Sequence, residues 1–137
     1  MTEREVAADI DAALAELARY GVAPALWRAP FGHLAPFSRA LAEERGLRLA
    51  GWTHDTHDWM GLEAGEMHAA AVPALHDGAI VLMHDGVGEG ALRENCDETA
   101  RMIGPLVTAA REAWLEPGPL DPSAPSLPAG NPELARA

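Results

Sequence analysis

Apolar positions follow two rhythms along this chain, and the two alternate. Val6, Ile10, Leu14 and Leu17 recur at helical spacing with Ala13 beside them, which predicts an opening amphipathic helix. Thr2 and Glu5 form a capping-box pattern ahead of it, and Gly21 stops it. The short apolar run Ala25-Leu26-Trp27-Arg28 precedes Ala29-Pro30-Phe31-Gly32-His33, a strand followed by a tight turn. Pro36 suits the first turn of a second helix, which runs through Leu41 to Arg45 and closes at Gly46. Leu47 to Thr53 reads as a second buried strand, ending in His54-Asp55-Thr56-His57-Asp58-Trp59. A third helix covers about Glu63 to His76 and bends near Pro73.

The clearest strand signal is Ala79-Ile80-Val81-Leu82-Met83-His84-Asp85-Gly86. An unbroken apolar run closed by turn residues predicts a strand buried on both faces, as in a parallel sheet. Asn95 and Glu98 repeat the capping-box pattern before a fourth helix. That helix is expected to turn Cys96, Ala100, Ile103, Val107 and Ala110 inward and to kink at Gly104-Pro105. Leu115 to Leu120 reads as a short edge strand. Residues 121–137, with Pro122, Pro125, Pro128 and Pro132, read as a Pro-rich mobile tail. Strand–helix alternation of this kind predicts an α/β fold with a parallel sheet and right-handed crossovers, fitting an open sheet or a barrel segment equally.

Composition narrows the function. With 137 residues there is room for one domain, and 48% hydrophobic with 23% charged residues means a globular chain. A net charge of -11 repels phosphate backbones, so no nucleic-acid partner is expected. The single cysteine, Cys96, excludes an internal disulfide and a cysteine metal site. No apolar run approaches the ~18 residues that span a bilayer, so no membrane partner is expected. The first twenty residues are acidic and lack a secretory apolar core, which leaves the compartment unknown and cytoplasmic by default.

Three apolar runs thus end in polar clusters, and in parallel α/β folds the chemistry lies beyond the carboxyl ends of the strands. Convergence of Arg28, Asp55 and His84 on one rim is the geometric expectation. An imidazole held by a carboxylate keeps one tautomer and suits a general acid. An arginine steadies a carboxylate or developing negative charge, and Trp59 offers a wall for the apolar face of a sugar. Each residue also has a plainer reading. His84 would satisfy a buried hydrogen bond, Arg28 a surface ion pair, Asp55 a turn cap, and Trp52 and Trp59 the core.

Arg28-Ala-Pro-Phe-Gly32, Asp55-Thr-His-Asp-Trp59 and Leu82-Met-His84 resemble, in order and separation, the third, fourth and fifth motifs of the polysaccharide deacetylases. This is the NodB-homology domain of carbohydrate esterase family four, and the resemblance covers residues 1–120. It implies part of a distorted (β/α) barrel, with three or four parallel strands and flanking helices. It also implies metal-dependent hydrolysis of N-acetyl or O-acetyl groups on a carbohydrate substrate. By the same resemblance, Arg28 pairs with the base aspartate and the Phe31 backbone N–H holds the oxyanion. Asp55 holds and tunes His84, His84 protonates the leaving group, and Trp59 and Leu82 line the acetyl and sugar pocket.

The family's first motif, a Thr-Phe-Asp-Asp-like strand end, and its second, a His-x-x-x-His loop, have no counterpart here. Those motifs bring the base and the ligands of a divalent metal, zinc or similar, so no metal ligand is assigned in this chain. His54-x-x-His57 is the only local His pair. The expectation is therefore a C-terminal part of a deacetylase, inactive alone and reliant on an N-terminal half or partner chain, with exposed strand flanks near Ala25 and Val81. Two alternatives stand beside it. One is a non-catalytic carbohydrate-binding or regulatory remnant. The other is a small metal-dependent site built from His54, Asp55, His57 and His84.

Overall fold

A computed structural model describes residues 1–123. The chain divides into two compact units, Met1–Gly51 with the residues from Asp121, and Trp52–Leu120.

In the first unit α1 spans Glu3–Arg19 and opens on the expected capping box: the Thr2 N–H donates to Glu5 Oε2 at 2.7 Å, and the Glu5 N–H donates to Thr2 Oγ1. Ile10 is its buried anchor, and Val6, Ala7 and Leu14 pack around it with Leu41, Ala42, Leu47 and Leu49. Leu17, expected on the same stripe, is exposed. The unit's two short strands, β1 (Leu26–Trp27) and β2 (Arg48–Leu49), pair in parallel. Between them come a single 3₁₀ turn, Pro30–Gly32, and α2, Ser38–Glu44. Pro36 lies two residues ahead of α2 rather than in its first turn, and Ser38 Oγ accepts the Ala35 N–H instead.

In the second unit β3 (His54–Asp55) and β4 (Val81–Leu82) form another parallel pair, linked through α3 (Ala64–Ala71) and a 3₁₀ turn at Val72–Ala74 that contains Pro73. After β4 a glycine-rich loop leads to α4, Asp97–Glu112. Met67, Ala71, Met102 and Leu106 form the buried core of this unit.

Several expectations change. The run from Leu47 to Thr53 does not make one strand ending before His54: β2 stops at Leu49, and His54 and Asp55 are themselves the next strand. The break has a cause, because the carbonyls of Ala50 and Gly51 accept the Arg28 guanidinium instead of continuing the ladder. The three or four strands of one sheet are, among the described residues, two two-stranded parallel sheets. β4 is only partly buried rather than covered on both faces, and among the described residues it has one strand neighbour, β3.

The inward face of α4 is Thr99, Met102, Leu106 and Ala110: Ala110 is buried as expected, whereas Ala100 and Ile103 are exposed and Cys96 and Val107 are only partly buried. Asn95 and Glu98 do not form a capping box. Asn95 Oδ1 accepts the Asp97 N–H, while Glu98 reaches across to the Ala64 N–H at the start of α3. Helix α4 runs through Gly104-Pro105 as one element. Among the described residues Leu115 to Leu120 forms no strand, and Pro117 and Pro119 lack ladder donors. Most of the expected mobile tail lies outside the described residues.

Candidate active site

The second unit gathers its polar groups around one carboxylate. His57 takes a left-handed backbone, φ 53°, and the chain then makes a 3₁₀ turn over Asp58–Met60 that ends at Gly61, φ 79°. This double reversal carries Asp58 inward, where its side chain has no exposed surface. Asp58 Oδ1 meets His84 Nδ1 at 2.7 Å, just beyond the end of β4. Asp58 Oδ2 accepts the backbone N–H of His84 at 2.8 Å, an Arg93 Nη1–H at 2.8 Å and the Thr99 hydroxyl at 2.9 Å.

Burial opposes a charge on Asp58. The hydrogen bonds from the His84 ring, the His84 N–H and the Thr99 hydroxyl outweigh it and hold the carboxyl below the ordinary aspartate range. An ionised carboxylate only accepts, so the hydrogen between Asp58 Oδ1 and His84 belongs to Nδ1. The neutral ring is thereby fixed in the Nδ1–H tautomer, which leaves Nε2 as its acid–base atom. The His84 side chain is 44% exposed, so the ring reaches solvent while its carboxylate does not.

The carboxylate at His84 is therefore Asp58, not Asp55. Asp55 Oδ1 accepts the His57 backbone N–H at 2.8 Å and lies 3.1 Å from His57 Nδ1. Its geometry is that of a turn cap, an aspartate side chain accepting the N–H two residues further on. Trp59 is partly exposed, its ring edge-on to His57, and its carbonyl accepts the Leu92 N–H at 2.7 Å. Leu82 lies in β4, and its carbonyl accepts both the N–H and the hydroxyl of Thr56.

Arg28 and Phe31 belong to the first unit. The Arg28 guanidinium donates to the carbonyls of Ala50 and Gly51, both at 3.1 Å, and burial pulls it below its ordinary value without costing it its charge. Phe31 has a left-handed backbone, φ 56°, with its ring 78% exposed. Among the described residues no three His, Cys, Asp or Glu side chains cluster so as to hold a metal ion. The described residues thus do not fit the divalent metal that the resemblance implies, and His54, Asp55, His57 and His84 are not gathered into one site.

Sequence reasoning passed over Asp58, Arg93 and Thr99. Asp58 stands within the quoted Asp-Thr-His-Asp-Trp stretch, three residues past Asp55, so one turn of chain was the available signal. Arg93 and Thr99 follow a loop and a helix start, where no periodicity marks them.

A carboxylate-held imidazole beyond the end of a parallel strand, in a mixed α/β fold, is an arrangement built for proton transfer. No family model matches the chain. It is 34% identical over 100 residues, 73% of its length, to the bifunctional xylanase/xylan deacetylase of Cellvibrio japonicus, and 30% identical over 102 residues, 71% of its length, to the chitooligosaccharide deacetylase of Bradyrhizobium sp. (strain ANU 289). It spans 14% and 47% of those relatives. In fold it is similar to a family 4 carbohydrate esterase from Streptomyces lividans, with a TM-score of 0.76 at 22% identity, covering 95% of this chain and 63% of that one. The chain belongs to the polysaccharide deacetylases of carbohydrate esterase family four.

Proposed function

We propose that this chain carries the general-acid side of a polysaccharide deacetylase, which hydrolyses acetyl amide or ester bonds on a carbohydrate. The observation that supports this most is the buried Asp58 carboxylate on His84 Nδ1. A protonated His84 gives up its Nε2 proton as the tetrahedral intermediate collapses. The bond from the acetyl carbon to nitrogen or oxygen breaks, and the sugar leaves as a neutral amine or alcohol. The ring is left neutral with its hydrogen on Nδ1, where Asp58 holds it. Trp59 is the platform for a sugar face and Leu82 lines the acetyl pocket. Arg28, anchored on two carbonyls, pairs with the base carboxylate. On this reading the base and the metal ligands come from outside the described residues, and the 137-residue chain alone releases no acetate.

A chimera tests this reading. The aligned segment of the Bradyrhizobium deacetylase is replaced by this chain, and acetate release from chito-oligosaccharide is followed. The chimera should be active, and His84→Gln should lower kcat by about a hundredfold or more. Full activity of a folded H84Q chimera would overturn the assignment of the acid. A second reading, a carbohydrate-binding remnant without catalysis, draws support from the partly exposed Trp59 ring. An inactive chimera, together with calorimetric binding of chito-oligosaccharide by the chain, would favour it.

A further inference from the structure

No sequence pattern marks Arg93, yet its side chain is only 7% exposed and all its Nη hydrogens are engaged around Asp58 and His84. Nη1 donates to Asp58 Oδ2 at 2.8 Å and to the Thr99 hydroxyl oxygen. Nη2 donates to the carbonyls of His84 and Gly86, each at 3.0 Å. A guanidinium has no acceptor, so the Thr99 oxygen receives from Arg93 and its own hydrogen goes to Asp58 Oδ2. Three donors are thereby directed onto Oδ2: Arg93, Thr99 and the His84 N–H. Oδ1 is left facing the His84 ring.

We propose that Arg93 is a positioning residue for His84: by holding Asp58 Oδ2 and the carbonyls of His84 and Gly86 on one guanidinium, it locks the ring in the tautomer that keeps Nε2 open for proton transfer. This inference rests on the reading of His84 as the acid. A plain tie for the loop would need only the two carbonyls. The bond to Asp58 and the orientation imposed on Thr99 act on the carboxylate instead. Lysine cannot substitute, because an ammonium is a compact charge without the planar fork that spans a carboxylate, a hydroxyl and two carbonyls.

The test uses the full chain with labelled histidine nitrogens, reading the His84 ring by two-bond proton–nitrogen correlation at alkaline pH, with H84Q for assignment. The wild type should show the Nδ1–H pattern. Arg93→Lys and Arg93→Met, checked for fold by circular dichroism, should raise the Nε2–H share about tenfold or more. In the chimera above, R93K should lower kcat about tenfold with KM unchanged. A wild-type ring in the Nε2–H form, an unchanged pattern in folded R93K and R93M, or loss of fold in both variants would each overturn the positioning role. Asp58→Asn separates the two levels. If D58N leaves the His84 pattern unchanged, the Asp58–His84 reading itself fails. If D58N changes the pattern and the Arg93 variants do not, only the role of Arg93 falls.

Discussion

Replacing Asp58 by asparagine keeps the shape of the side chain and removes its charge. The carboxylate has no exposed surface and accepts from His84 Nδ1, the His84 N–H, Arg93 and Thr99. A carboxamide retains one acceptor oxygen. Because three donors meet at Oδ2, the amide oxygen takes that place and the NH2 group faces the ring. His84 Nδ1 must then accept, and the imidazole switches to its Nε2–H tautomer. The fold is affected through Arg93, which is nearly buried and loses its counter-charge. Removing one partner of a buried ion pair costs about 3–5 kcal/mol. Arg93 keeps Thr99 and the carbonyls of His84 and Gly86 as neutral acceptors, so the lower end, about 3 kcal/mol, is expected. Urea unfolding of both proteins near pH 7, followed by circular dichroism, measures it. A loss under about 1 kcal/mol would refute the argument that this charge is needed inside the unit. The pH dependence follows from the same bonds. The folded Asp58 titrates below the ordinary value of 3.8. Its contribution is therefore whole above that value and disappears as pH falls through the lower folded-state value. The gap between wild type and D58N should be widest above about pH 5 and should narrow on acidification; a gap that widens in acid would reverse the assignment.

Met102→Ala should destabilise by about 3 kcal/mol, since Met102 is fully buried among Met67, Ala71 and Leu106. A urea midpoint within error of wild type would contradict that core. Phe31→Gly should be more stable than Phe31→Ala by about 1 kcal/mol, the reverse of the usual order, because the backbone there is left-handed and the ring is exposed. Thermal melts of the two variants decide it, and A above G would mean that the conformation is not held. Gly61→Ala should cost about 1 kcal/mol at φ 79° and bring a Cβ to 3.4 Å from the Leu92 carbonyl oxygen. Faster hydrogen exchange at the Leu92 N–H, which is bonded to the Trp59 carbonyl, is the accompanying readout; unchanged stability and exchange would sink this account.

The elements that were legible in the sequence were those with a repeating physical signal. Thr2 and Glu5 cap α1 as their spacing requires, and Pro73 breaks the third helix where its missing N–H predicts. The apolar runs around Leu26 and Val81 became strands in parallel pairs. What failed was decided by side chains far away in sequence. Arg28 captures two carbonyls and splits the second strand, and no local pattern around Leu49 records that. Glu98 fits a capping box with Asn95 on paper but caps α3 instead, because the Ala64 N–H competes for it in space. On α4 Ala110 faces inward as expected, but Thr99, Met102 and Leu106 replace Ala100, Ile103 and Val107, and Thr99, a polar residue that a hydrophobicity pattern leaves outside, is buried on Asp58.

The same contrast explains why the motif stretches were informative and still named the wrong carboxylate. Parallel pairing brings a strand end such as His84 to a predictable edge, so a polar cluster there can be read as chemistry. Which acid within Asp55-Thr-His-Asp-Trp59 reaches His84 depends on the left-handed turn at His57, and only a few residue types hint at such a turn. Once that turn is made, the Asp58 carboxylate meets His84, Arg93 and Thr99, all within one compact unit. The carboxylate, the imidazole and the guanidinium are thus held by contacts that the second unit makes with itself. This is why the tautomer of His84 can be tested in this chain before any substrate is turned over.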